Sequence, residues 1–161
     1  MDIALIEPEI PGNTGSIGRV CVGTGCGLHL VGTLGFDISE RAVRRAGLDY
    51  WKDVDLHVQP DRDAWEASVA GRRLWLFSTQ GTQRYDQVAY EPDDVLVFGR
   101  ETKGLPAELV ARYPDRLVYL PTTDKIRSLN LANVVTAVVY EALRQQDFRG
   151  IVEADGAKSG V

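Results

Sequence analysis

The sequence predicts an α/β protein in which a mostly parallel sheet lies between helices. Three observations carry that prediction. Short apolar runs alternate with helix-period segments along the chain, the order that builds parallel sheets through strand-helix-strand crossovers. The run from Val95 to Phe98 is apolar at every position, as a strand covered on both faces must be. Glycine and polar clusters recur where a predicted strand meets a helix, which is where parallel α/β proteins gather ligand-binding groups.

The elements follow in order. Ile3 to Ile6 reads as a strand ended by Pro8 and Pro11, neither of which can donate to a sheet ladder. Asn13 is expected to cap the first helix, with Ile17, Val20 and Cys21 at helical spacing and Gly23, Gly25 and Gly27 stopping it. Leu28 to Val31 is the next strand, Ser39 to Ala46 a helix, Asp55 to Val58 a weaker strand and Asp61 to Val69 a helix carrying Trp65. Arg73 to Thr79 reads as a strand running into a turn at Gly81. Beyond Phe98, Pro106 opens a helix through Tyr113, and Leu117 to Leu120 forms another strand. Leu131, Val134, Val135, Val138, Val139 and Ala142 keep the i, i+3, i+4 pattern of an amphipathic last helix, with Ser128 as its expected cap and Asp147 and Gly150 at its end. Residues 1–150 read as one domain and 151–161, small and polar, as a flexible tail.

Composition bounds the function. A chain of 161 residues that is 44% hydrophobic suits one globular domain with a proper core. The net charge of −5 does not favour an extended basic nucleic-acid surface. Local fields count for more than the total, however, and Arg41, Arg44 and Arg45 beside Tyr50 and Trp51 form a candidate RNA-binding patch. Cys21 and Cys26 have neither a second thiol pair nor a nearby histidine to complete a zinc site, so no metal is expected and a reduced, cytoplasmic protein is. Neither a secretory leader nor a span of about 18 apolar residues is visible, so no membrane association is expected. The glycines at 23, 25 and 27 are spaced like a nucleotide loop, but such a loop follows a strand and opens a helix; here the order is reversed.

Three clusters carry the chemistry. The first holds Asn13, Gly15 and Arg19, with Arg19 expected on the second helical turn and Gly12, Gly15 and Gly18 leaving backbone bare for a ligand or a second chain. The second holds Gly99, Glu101 and Gly104, a sharp turn offering main-chain amide and carbonyl groups to a small molecule. The third holds Ser128, Asn130 and Asn133; capping explains the serine but not two asparagines at the start of a helix, where their propensity is modest.

Taken with Glu7 to Pro11, the segment Arg44 to Tyr50 and the residues Leu105 and Pro106, these clusters resemble the three-motif pattern of SPOUT-class RNA ribose methyltransferases. The likeness is greatest to the small tRNA enzymes that methylate the 2′-hydroxyl of a cytidine or uridine at the wobble position, and it runs from residue 3 to about residue 150. The resemblance implies a deep trefoil knot near the C-terminus, an exception to the unknotted rule. It also implies a homodimer with its active site at the interface, and S-adenosylmethionine bound in a bent shape against the knotted loops. Phe77, Gly99, Leu120, Ser128 and Leu129 would be the cofactor contacts, several through the backbone.

Arg19 is the catalytic candidate that the resemblance gives. A guanidinium is a poor general base at neutral pH, so its expected work is to hold an RNA phosphate and stabilise the developing alkoxide. Asn13 and Asn130 would position Arg19 or the substrate, and Glu101 would fix the loop or a neighbouring cation. Tyr140 fits either core packing or the dimer interface. Gln80 stands where relatives often carry lysine, which removes one expected RNA contact. Two other functions stay open at this point: ribose methylation of ribosomal RNA, and a knotted RNA-binding protein without catalysis.

Overall fold

The computed structural model describes residues 1–45 and 47–151. Ala46, the side chains of Glu40, Arg41 and Arg44, and residues 152–161 lie outside the described part, so two arginines of the predicted basic patch and nearly all of the predicted tail fall there. The strands are β1 (Asp2–Ile6), β2 (Gly27–Val31), β3 (Leu56–Gln59), β4 (Leu74–Phe77), β5 (Gln83–Arg84), β6 (Val95–Phe98) and β7 (Leu117–Tyr119). The helices are α1 (Pro11–Thr24), α2 (Glu40–Arg45), α3 (Arg62–Ser68), α4 (Ala107–Arg112) and α5 (Leu131–Gln145). The strands pair in the order β3-β2-β1-β6-β4-β7-β5, and every pairing is parallel.

Alternation along each central strand sends side chains to two cores. Ile3 and Leu5 of β1 and Leu96 and Phe98 of β6 pack with Ile17 and Cys21 of α1 and with Val135, Val138 and Val139 of α5. Ala4 and Ile6, with Val95 and Val97, turn to the opposite face and meet Trp65 of α3 and Leu109 of α4. Helices therefore cover both faces, and β6 is buried at all four positions, which is why its sequence is uniformly apolar.

The helix ends differ from expectation in two places. α1 begins at Pro11 after Ile10, which makes no side-chain cap, so Asn13 lies inside the first turn and Arg19 in the third. Pro11 preorganises that start without needing its missing amide hydrogen. α5 is capped by Asn130, whose side chain accepts from the Asn133 amide, and not by Ser128. At the other end of α1 the helix runs through Gly23 to Thr24, and Gly25 alone takes the left-handed turn that closes it. The short strand β5 had no sequence signal, because two residues cannot show a period.

Because all strands run the same way, their carboxyl ends share one edge of the sheet. The opposite edge is fastened by Asp2, which pairs with Arg72, lies 3.2 Å from Nε2 of His29 and accepts from the Gly27 amide at 3.3 Å. The hydrogen bond with His29, helped by the Arg72 guanidinium, outweighs partial burial and holds the Asp2 carboxyl well below the usual carboxylate range. A depressed folded pKa gives stability that is complete above the ordinary value of 3.8 and is lost as pH falls below it towards the folded value. Asp2→Asn is expected to cost about 2 kcal/mol at neutral pH. It should also flatten the decline in unfolding free energy from about pH 4 downward; urea titrations across that range measure both.

Candidate active site

The carboxyl edge brings all three sequence clusters together through one chain of side-chain hydrogen bonds. Asn13 Nδ2 donates to Glu101 Oε1 at 3.0 Å, and Asn13 Oδ1 accepts from Asn130 Nδ2 at 2.9 Å. Asn130 in turn caps α5. Glu101 also accepts from the main-chain amides of Glu9 at 2.9 Å and Ile10 at 3.2 Å. α1 has no acidic residue in its own first turn, so Glu101 supplies, from the loop after β6, the negative charge that a helix N-terminus favours. Asn13 is nearly buried, at 8% exposure, and an amide in that position must satisfy both of its ends.

Arg19 projects from α1 into an open hollow of about 580 Å³ whose walls include Asn13, Ser16, Tyr50, Asn130 and Asn133. Its guanidinium lies 4.3 Å from the centre of the Tyr50 ring and 4.0 Å from Asp49 Oδ1, and the side chain is 70% exposed. An exposed pair of that kind contributes about 0–1 kcal/mol, so Asp49 is an exchangeable partner. Tyr50 is itself held by donating to the Gly15 carbonyl at 2.8 Å. At two of its three early glycines the bare α1 backbone is occupied by this chain's own residues: a Cβ on Gly18 would fall 2.7 Å from Trp51, and one on Gly15 would meet Leu48 at 3.3 Å, whereas one on Gly12 would meet nothing within 4 Å. Those two glycines admit the 48–51 segment rather than a ligand or second chain.

Phe77, Gly99 and Leu120 also reach this edge. Register places Phe77 opposite Phe98 on one side and Val118 on the other, and the Phe77 and Phe98 rings stack at 4.6 Å. Gly99 follows directly. A Cβ there would sit 2.1 Å from the Gly104 carbonyl carbon and 2.2 Å from Leu105 N, so the 99–104 loop folds back onto it. Reciprocal backbone bonds between Arg100 and Gly104, at 3.1 and 2.8 Å, close that loop. Ser128 and Leu129 lie in the segment 121–130, exposed at every position, and among the described residues no hydrogen bond ties their side chains to Phe77, Gly99 or Leu120. Tyr140 stands apart on α5 at 51% exposure, which removes the core-packing alternative. Arg45 is exposed on α2.

Residues 1–140 match the SpoU rRNA Methylase family. The chain belongs to that family. A tRNA (cytidine(34)-2′-O)-methyltransferase of Methylovorus glucosotrophus is 45% identical over 152 residues, covering 94% of this chain and 99% of that protein. A solved structure described as giving structural insights into the 2-OH methylation of C/U34 on tRNA superposes with a TM-score of 0.85 at 38% identity, covering 92% of this chain and 97% of that one. An AdoMet-bound rRNA methyltransferase from Sinorhizobium meliloti superposes with a TM-score of 0.75 at 29% identity, covering 88% of this chain but 55% of that one.

Within this SpoU-family chain, Glu7, Glu9, Thr102 and Arg127 stand in or beside the sequence motifs, but their role in tying the loops to one another was not anticipated. Glu7 pairs with Arg100, and the Glu9 carboxylate accepts from Thr102 N at 3.1 Å and Thr102 Oγ1 at 2.8 Å. Arg127 donates to the Thr102 carbonyl at 3.4 Å. No local pattern signals these pairings, which join residues up to 93 positions apart. The bridging role of Asn13 has a direct test in a double-mutant cycle with Asn130. Asn13→Leu is expected to destabilise the protein by about 2 kcal/mol, because it leaves Glu101 and Asn130 each short of a partner. With Asn130→Leu added, a coupling of about 1 kcal/mol by chemical denaturation is expected, where independent sites would show none.

Proposed function

We propose that this chain is an S-adenosylmethionine-dependent methyltransferase acting on the ribose 2′-hydroxyl of the wobble cytidine or uridine of tRNA. The observation that carries this is the joining of the first, second and third clusters by Asn13, Glu101 and Asn130 in a chain that spans nearly all of a tRNA (cytidine(34)-2′-O)-methyltransferase at 45% identity. The edge fits such a cofactor in kind: the Gly99 turn follows Phe98, the register partner of Phe77, and Leu120 follows β7 on the same edge, apolar neighbours that suit a purine and an aliphatic chain better than a polyphosphate. Phe77, Gly99 and Leu120, with Ser128 and Leu129 from the exposed segment, would hold it. When bound, it supplies a methyl group on a sulfonium; transfer makes the O–CH3 bond, leaves a thioether and releases the hydroxyl proton.

This chain's own groups do the positioning, which can account for much of the rate in such a transfer. Arg19 holds the RNA phosphate and stabilises negative charge growing on the 2′-oxygen, a fixed cation where charge develops. Asn13 and Asn130 set the helix that carries it, and Glu101 fixes the cofactor loop against that helix. The proton leaves to solvent, which the open hollow admits.

The proposal extends to assembly and topology. Two copies pair across α1 and α5, with Tyr140 in the interface; Ile10, Val22 and Tyr140 are large apolar side chains left exposed on or beside those helices, and the 121–130 segment is uncovered. The chain forms a trefoil knot where close threading is greatest: a Cβ on Gly81 would lie 2.4 Å from the Val118 carbonyl carbon, so the loop after β4 presses on β7 as the loop after β6 presses on Gly99. Arg41, Arg44 and Arg45 contact the tRNA. Residues 1–150 act as one unit in the cytoplasm, and among the described residues no helix is long and apolar enough to cross a membrane.

Parallel incubations with labelled S-adenosylmethionine and either total tRNA or ribosomal RNA, followed by nucleoside mapping, are expected to place the label on 2′-O-methylcytidine or 2′-O-methyluridine at position 34 of tRNA. Label on ribosomal RNA instead, or tRNA binding without label, would sink the assignment. Arg19→Ala should cut turnover at least a hundredfold with cofactor affinity kept, and near-wild-type turnover by Arg19→Lys would count against any need for the planar fork. Gly99→Ala should weaken cofactor binding more than tenfold in calorimetry, because a Cβ there collides with backbone at 104–105 and forces the loop outward.

A further inference from the structure

The segment 7–10 and the loop 99–104 exchange carboxylates in both directions. Glu101 reaches out of its loop to the main-chain amides of Glu9 and Ile10, while Glu9 reaches back to the main-chain amide and hydroxyl of Thr102. Glu7 pairs with Arg100 alongside. We infer that Glu9 is a positioning residue for the cofactor site: through Thr102 it sets the 99–104 loop against the N-terminus of α1, the helix that carries Arg19. The inference rests on the proposed function only in taking that loop as the place where S-adenosylmethionine binds.

The geometry gives Glu9 a share that Glu101 cannot take over. Glu101 fixes the start of the loop by its own side chain, and the Arg100–Gly104 backbone bonds fix its closure. Thr102 at the tip has a main-chain amide with no ladder partner, and Glu9 supplies the acceptor. A carboxylate that takes both an amide and a hydroxyl makes charge-assisted bonds about twice as strong as neutral ones. Both residues are far enough into solvent, or its margin, that their pairing does little for the core; Thr102 is exposed. What the pairing determines is where the Gly99 turn lies relative to Arg19, so the two reactants meet in register.

Glu9→Ala is expected to weaken S-adenosylmethionine binding about tenfold by calorimetry, with an unfolding midpoint close to wild type. Thr102→Val, which removes the hydroxyl and little else, should weaken it severalfold, and the double variant should be no weaker than Glu9→Ala alone. Glu9→Gln keeps one acceptor oxygen and should recover part of the loss. Hydrogen exchange should quicken at 100–104 in Glu9→Ala and stay unchanged in β1 and α5. Unchanged cofactor affinity, losses that multiply in the double variant, or unchanged exchange at 100–104 would each overturn the inference; should Glu9→Ala not fold, Thr102→Val is read by the same measures. If the wild type binds the cofactor and the variants bind it weakly, yet no tRNA is methylated, the tRNA assignment fails and the role of Glu9 stands. If the wild type does not bind it, the proposed function fails, and exchange at 100–104 alone decides whether Glu9 sets the loop.

Discussion

One side-chain amide, that of Asn13, is the constraint on which the geometry of the site depends. It donates to Glu101 and accepts from Asn130, so the loop after β6 and the start of α5 are both referred to the first turn of α1. Arg19 stands two turns further along that helix. A rigid helix transmits the placement of its first turn to its third, so the position of the guanidinium beside the hollow is set by the same bonds that set the 99–104 loop. Few residue types could do this. Aspartate would set a second carboxylate against Glu101, and serine would be too short to bridge both partners.

The parallel sheet makes that bridge possible. β1 and β6 are neighbours with Leu5 opposite Phe98, so the segments that leave them emerge side by side although about ninety residues separate them. The helices on either face then decide what can approach. α1 and α5 cover one face and carry the hollow between them; α3 and α4 cover the other and are joined by the pairs Arg62–Glu108 and Arg112–Glu66. The bridge from Asn13 to Glu101 and Asn130 lies at the starts of the two helices of the first face, beside the loop that follows β6.

How much of this could be read from sequence varied with the physics of each element. β6 matches its predicted bounds from Val95 to Phe98 because burial on both faces leaves an unambiguous apolar run. α5 shows its buried stripe, Val135, Val138, Val139 and Ala142, because an amphipathic helix writes its period into the chain. The caps were less legible. Asn13 and Ser128 have the composition of N-caps, but in α1 a proline start displaced the cap to Ile10, and in α5 Asn130 holds the position. The three clusters that meet at the carboxyl edge were visible in the sequence, whereas the bonds that join them were not. Nothing in local pattern says that Glu9 pairs with Thr102 or that Asn13 spans to Asn130, since those bonds join residues separated by 93 and 117 positions.

Net charge was the least informative quantity, and the structure shows why. The total of −5 counts every carboxylate equally, yet many of them face inward or lie against arginines remote from the site: Asp94 is buried and bonded to Arg73 and the Trp75 ring nitrogen, Asp2 to Arg72, and Glu66 and Glu108 to arginines between α3 and α4. Glu7, Glu9 and Glu101, which do lie at the carboxyl edge, have their charge directed into Arg100, Thr102 and main-chain amides. Among the described residues, Lys103, Lys125 and Arg127 on the two neighbouring loops form no ion pair, and Arg19 has only the weak contact with Asp49. At this edge the cations therefore carry uncommitted charge beside Glu7, Glu9 and Glu101, whose charge is already engaged, although Asp49 and Asp124 also lie exposed there. At a Debye length of roughly 8 Å in physiological salt, the potential at this edge depends on that local arrangement more than on the sum over the whole molecule.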